Sequence, residues 1–121
     1  MFQIGITLNP ANIAAGQSSS ASCALGALTL LGISMPAVWT AAALTFQVSP
    51  DGGTTWQELY YGAGNPVTVT AAAGQFVIPV ADPSYFWRGI AKVKVRGGAA
   101  SVPVNQVAMA TVDLVTRSEM I

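Results

Sequence analysis

Apolar and polar residues alternate along this chain over short stretches, and nowhere with the period of a helix. "FQIGITL" puts Phe2, Ile4, Ile6 and Leu8 on one face and Gln3, Gly5 and Thr7 on the other, which is the pattern of a half-buried strand. "ALTFQVS" points Leu44, Phe46 and Val48 inward, "VTVTA" repeats the period, and "IAKVKVR" separates Val93 and Val95 from Lys92, Lys94 and Arg96. "VAMATVDLVTR" reads as a closing strand. The shorter runs "SASCALG", "LTLLGIS" and "FVIPV" are bounded by Gly or Pro, and Pro79 places the last at a strand edge or end. "NPANIAAGQSSS", "GAGNP", "ADPSYFWRG" and "GGAASVPVNQ" carry turn and loop chemistry. "MPAVWTAA" reads as a corner or one short helical turn. About eight short strands with such punctuation predict an all-β antiparallel sandwich. No internal repeat or linker divides the 121 residues, and a chain of this length buries one core as a single domain.

Composition changes the picture. Apolar residues make up 52% of the chain and charged residues only 8%, against roughly 25% charged in ordinary soluble domains. Net charge is zero, and Met1 to Pro50 contain no charged side chain. A free monomer needs mixed surface charge to stay dispersed, so this surface is expected to be covered by other chains. The uncharged segment from Met1 to Ser20 is expected to serve as an arm or strand reaching a neighbouring subunit. No basic stretch follows Met1, so a secretory signal is not expected. Cys23 is the single cysteine and reads as a small buried hydrophobe. Cys23 to Val48 is long and uncharged, but Gly26, Gly32, Pro36, Ser34, Thr40 and Thr45 interrupt it and no Lys or Arg flanks it. A membrane helix is therefore not expected.

"SPDGGTTW", Ser49 to Trp56, matches the pattern Ser-x-Asp-x-Gly-x-Thr-Trp, which resembles the Asp-box of sialidases and related lectin-like proteins. In that hairpin the Asp accepts hydrogen bonds from the turn and the glycine takes a conformation other residues avoid. Ser49, Asp51, Gly53, Thr55 and Trp56 are thus accounted for by hairpin stability. A sialidase is excluded, because its propeller repeats blades of roughly 40–50 residues several times over and this chain has one such box.

Catalytic chemistry is not expected. There is no histidine, which removes His-based triads and His-ligated metals. The acids Asp51, Glu58, Asp82, Asp113 and Glu119 are scattered, and only Asp51 and Glu58 flank one hairpin, whereas a glycosidase needs two facing carboxylates. No cofactor or metal is implied. Arg88, Lys92, Lys94 and Arg96 are four of the five cations. Lys92, Lys94 and Arg96 share one strand face: either a solvated face that guards an edge or a contact for an acidic partner. Neutral overall charge speaks against nucleic acid. Aromatic residues gather at Tyr85 to Trp87 and at Trp39, Trp56, Tyr60 and Tyr61. Core or interface is the simpler role; Tyr60, Tyr61 and Trp87 are the candidates for stacking on a sugar.

"MPAVWTAAALTFQVSPDGGTTWQELY", followed by "AKVKVRGG", "PVNQ" and "TVDLVTR", resembles a group of small structural proteins of tailed phages and prophages, over Met35 to Arg117. "LTFQVSPDGGTTWQEL" with the later "KVKVR" strand is more loosely similar to discoidin-type jelly rolls (coagulation factor 5/8 C-type domains), without their terminal cysteine pair. These resemblances imply a jelly-roll-like sandwich and a non-enzymatic virion protein made in the host cytoplasm. The leading expectation is a capsid decoration or cement protein, a homotrimer seated on the major capsid protein, with neither nucleic acid nor membrane as partner. Phe2, Ile4, Ile6, Arg88, Lys92, Lys94 and Arg96 are the candidate partner interface. A carbohydrate-binding module of a tail or surface appendage, and a tail or connector component, are the alternatives.

Overall fold

Eight strands pair into two antiparallel four-stranded sheets. The computed structural model describes residues 3–25, 29–60, 62, 64–78 and 92–120. The strands are β1 (Gln3–Ile13), β2 (Cys23–Ala24), β3 (Thr29–Ser34), β4 (Leu44–Ser49), β5 (Gln57–Glu58), β6 (Phe76–Val77), β7 (Lys92–Gly97) and β8 (Ala110–Met120). The front sheet has the order β1-β8-β3-β6 and the back sheet β2-β7-β4-β5. First pairs with last, second with seventh, third with sixth and fourth with fifth. The chain is therefore wound like one long hairpin rolled on itself, closed by β8 against β3 and β7 against β4. The described residues contain no helix, and residues 35–43 form an irregular corner, fastened where Trp39 Nε1 donates to the Ala42 carbonyl at 3.2 Å.

The core lies between the sheets. Leu30, Ile33, Val112, Leu114 and Ala11 from the front meet Leu44, Phe46, Val93 and Val95 from the back. Each such large aliphatic or aromatic side chain contributes roughly 1.5–3 kcal/mol on leaving water. Val67, Val69 and Ala71 are buried while Thr68 and Thr70 are exposed. The alternation of "VTVTA" is thus realised, although the segment bridges β4 only at Leu44–Val69.

β1 departs from expectation twice. It runs unbroken through Asn9 and Pro10 to Ile13, paired with β8 throughout, where turn chemistry was expected. Proline is tolerated because β1 is an edge strand. On its free side the Pro10 carbonyl accepts from Cys23 Sγ at 3.3 Å, and the Asn12 carbonyl from Ala21 N. The faces also differ. Ala11 and Ile13 are buried, while Ile6 and Leu8 are 60% and 59% exposed. Register with β8 puts Ala11 opposite Val112 and Ile13 opposite Ala110 on the core side, so the Ile6–Leu8 face is the outer one. Of the segment expected as an arm, residues 3–13 are this edge strand.

Candidate functional site

The Asp-box hairpin joins β4 to β5. Ser49 is buried; its hydroxyl donates to Asp51 Oδ1 at 2.9 Å and accepts from Gly53 N at 2.7 Å. Asp51 Oδ1 also accepts from Thr55 N at 2.8 Å and Thr54 N at 3.2 Å. The Thr55 main-chain N–H, then its hydroxyl, then that of Ser49 hold the Asp51 carboxyl down at about 2, because each bond favours the ionised form. Gly53 has φ +110°, a conformation that a side chain opposes. Asp51 is therefore occupied by its own turn.

The basic strand turns inward on the same hairpin. Lys92 lies beside Gly53, where a Cβ would come within 3.4 Å of its ammonium nitrogen. Lys94 Nζ stands 4.3 Å from the centroid of Trp56, a cation–π contact. Arg96 corrects the expectation of an exposed cation: it is 7% exposed. Its Nε donates to Thr45 Oγ1 at 3.0 Å, and its two terminal nitrogens donate to the two oxygens of Glu58. Glu58 also accepts from Gln47 Nε2 at 2.7 Å. Hydrogen bonds from Arg96, opposed by partial burial and helped by Gln47, hold the Glu58 carboxyl below its ordinary range. Lys92, Lys94 and Arg96 thus share a face, as the period requires, and Lys94 and Arg96 are engaged within the chain. Asp51 and Glu58 have separate hydrogen-bond partners.

Cys23 is buried, and burial raises its thiol, which keeps it protonated and a poor nucleophile. Among the described residues, no three His, Cys, Asp or Glu side chains gather to hold a metal, and no helix is long and apolar enough to cross a membrane. Phe2, Tyr61, Trp87 and Arg88 lie outside the described residues. Ile4 stands on β1 opposite Glu119. Tyr60 is exposed and bridges Pro66.

The two broad surfaces differ in chemistry. The outer side of the back sheet carries Thr45, Gln47, Arg96 and Glu58 in one hydrogen-bonded group, with Lys92 and Lys94 beside it. The front sheet and the residue after β6 expose Ile6, Leu8, Phe76 and Ile78, with Phe76 and Ile78 at 60% and 65% exposure. The Phe76 ring lies across Gly32, leaving no room for a Cβ there. Further exposed apolar side chains lie on the loops around residues 38 and 102–109. There buried Gln106 clamps the corner: Thr40 N donates to its Oε1 at 2.8 Å, and its Nε2 donates to the Thr40 carbonyl at 3.1 Å. On these loops Val38, Val102, Val107 and Met109 are exposed, Val107 at 84%.

The sequence reading named Phe2, Ile4 and Ile6 as candidate apolar contacts and did not single out the exposed Phe76, Ile78, Val107 and Met109. A signal for two of them was present. Val107 and Met109 share parity with Asp113 and Arg117, and charge on a strand face marks its outer side. Compared with models of protein families, with curated proteins and with solved structures, the chain matches none of them.

Proposed function

We propose that the chain is a non-enzymatic structural subunit of a virion, a capsid decoration or cement protein that binds the head lattice as an oligomer and stabilises it. The carrying observation is the division of its surface. In a chain with 8% charged residues, Arg96, Glu58 and Lys94 of the back sheet are engaged in internal contacts, while the front sheet and the loops around residues 38 and 102–109 expose large apolar side chains. Such a surface suits a molecule that works in contact with others. The nested pairing of the strands supports a jelly-roll winding.

The mechanism is thermodynamic. The loops carrying Val38, Val102, Val107 and Met109 are the part that seats on the major capsid protein at the virion surface. Each Å² of apolar surface removed from water contributes about 25 cal/mol before association costs. An oligomer holding several such loops binds with the multivalent gain. The test is co-sedimentation with empty heads of the encoding phage. Saturation at a fixed ratio to the capsid protein is expected, and Val107→Glu combined with Met109→Glu should release the protein. A wild-type chain that stays in the supernatant would replace this reading with a tail component or a glycan-binding module, separated by tail pull-down and a glycan array.

A further inference from the structure

We propose that the free edge of β1 is an assembly edge, on which β1 of a second copy pairs antiparallel about a two-fold axis and joins two front sheets into one. Two contacts show which main-chain groups face that edge. In an antiparallel pair, alternate residues turn both N–H and C=O toward the neighbouring strand and the others turn both away. The Pro10 carbonyl accepts from Cys23 Sγ and the Asn12 carbonyl from Ala21 N, both on the side away from β8. Even-numbered residues of β1 therefore turn N–H and C=O to the free edge. Among the described residues, nothing bonds these groups at Ile4, Ile6 and Leu8.

Among the described residues, this is the sheet edge that carries no guard. Proteins blunt their edges by keeping them short, or with charge, proline or a bulge. The other three edge strands, β2, β5 and β6, have two residues each. The second half of β1 is closed by Pro10 and by the contacts of Ala21 and Cys23. Residues 3–9 contain neither charge nor proline, and their pairing with β8 runs without a register shift. Thr7 is exposed as well as Ile6 and Leu8, so the side chains here are open to water on both faces of the strand.

The order of the free groups selects the occupant. A row of main-chain donors and acceptors takes an extended strand, and β1 matches its own row. Centred on Ile6, two antiparallel copies pair Ile4 with Leu8, Ile6 with Ile6 and Leu8 with Ile4. Each such pair exchanges both main-chain bonds, so every free group from Ile4 to Leu8 meets its complement on the other copy. A two-fold interface must match itself in this way. Neighbouring registers fail. Moving the centre to Thr7 sets Pro10 opposite Ile4, and Pro10 has no N–H and an engaged carbonyl. Moving it to Gly5 carries Leu8 past Gln3, the first residue of β1. β1 is uncharged throughout, so no like charges oppose the pairing, and the exposed Ile6 side chains of the two copies stand side by side, apolar against apolar.

This inference concerns copies of the chain and does not depend on the capsid reading. The experiment is sedimentation equilibrium of the purified full chain over a wide concentration range, with amide exchange read residue by residue in the same samples. So short a strand pair buries less than a standard interface, so the mass should rise reversibly from the 12.4 kDa chain toward twice that value. The Ile6 and Leu8 amides should exchange slowly in the dimer and fast on dilution, while Thr7, whose N–H faces β8, should stay slow in both. Ile6→Pro removes the central donor and should weaken the dimer about tenfold or more. It should still fold, because Pro10 already occupies the same parity on the same edge. Ile6→Thr keeps the N–H and should stay within a few-fold of wild type. Circular dichroism checks each fold, and if Ile6→Pro unfolds, the wild-type exchange decides. A wild type that is monomeric at every concentration or forms a closed trimer overturns the proposal. So does a dimer that survives Ile6→Pro in a folded chain, or exchange at Ile6 and Leu8 that ignores concentration, which would mean the chain covers its own edge. A monomer that loses head binding on Ile6→Pro would overturn it too and give the edge to a strand of the capsid protein.

Discussion

Arg96 and Glu58 are paired across a strand that belongs to neither. Arg96 is on β7 and Glu58 on β5, with β4 between them, and the guanidinium crosses over Thr45 to reach the carboxylate. The contact ties three of the four back-sheet strands on their outer surface. Glu58→Ala should destabilise the protein by about 1.5–3 kcal/mol, the range for hydrogen bonds to a charged group. The lower part applies because the Glu58 side chain keeps 29% of its exposure and water screens it. Arg96→Met, which removes the buried charge itself, should cost less than Glu58→Ala. Urea unfolding of both single variants and the double variant measures the coupling, and a coupling near zero would mean the pair is ornamental.

The Asp-box hairpin should make stability depend on acid. The Asp51 carboxyl is at about 2 in the folded chain against an ordinary 3.8. A group depressed on folding contributes stability above its unfolded value and loses it as pH falls through its folded value. The contribution of Asp51 should therefore be complete above about pH 4 and fade toward pH 2; Glu58, also depressed, acts in the same direction. Melting temperatures of wild type and Asp51→Asn, compared from neutral pH downward, should converge in that interval. A gap that stays constant with pH would show that the charge of Asp51 contributes nothing.

Ser49 anchors the same turn from the buried side. Ser49→Ala leaves Gly53 N without its acceptor and should cost about 1–2 kcal/mol in a chemical denaturation. Ser49→Thr, which keeps the hydroxyl, should recover part of that loss.

Two glycines separate backbone strain from crowding. Gly74 has φ +73° with nothing near an added Cβ, so Gly74→Ala should cost only about 1–2 kcal/mol of left-handed strain. Gly98 has φ +83°, and a Cβ there would lie 2.6 Å from the Val102 carbonyl and 2.8 Å from Val104 N. Both are main-chain atoms of its own hairpin, which bridges Gly98 to Pro103. Gly98→Ala should lower the melting temperature clearly more than Gly74→Ala. Equal effects would mean the hairpin yields.

Cys23 should resist a thiol reagent in the folded chain. Burial disfavours its thiolate and its Sγ donates to the Pro10 carbonyl. The reaction should accelerate as denaturant opens the molecule and should follow the unfolding curve. Rapid labelling of native protein would place Cys23 at the surface.

Short-range chemistry was legible in the sequence. The turn at Asp51 depends on residues within four positions of each other, so its pattern appears in the chain itself. The inward faces of β4 and β7 follow from period two, and Leu44, Phe46, Val93 and Val95 are indeed in the core. What period two cannot tell is which face of a strand another sheet will cover. Ile6 and Leu8 alternate as cleanly as Val93 and Val95, yet pairing with β8, some hundred residues away, turns them outward. The same holds for Arg96, which becomes a buried partner only because β4 and β5 bring Glu58 beside it. Pro10 reads as a turn until β8 gives its strand a partner and leaves the proline's missing N–H on the free edge. Local order was thus determined by the sequence by itself, because turn and alternation energies act between near neighbours. The tertiary structure decided burial and surface, because those depend on which distant strand lies opposite.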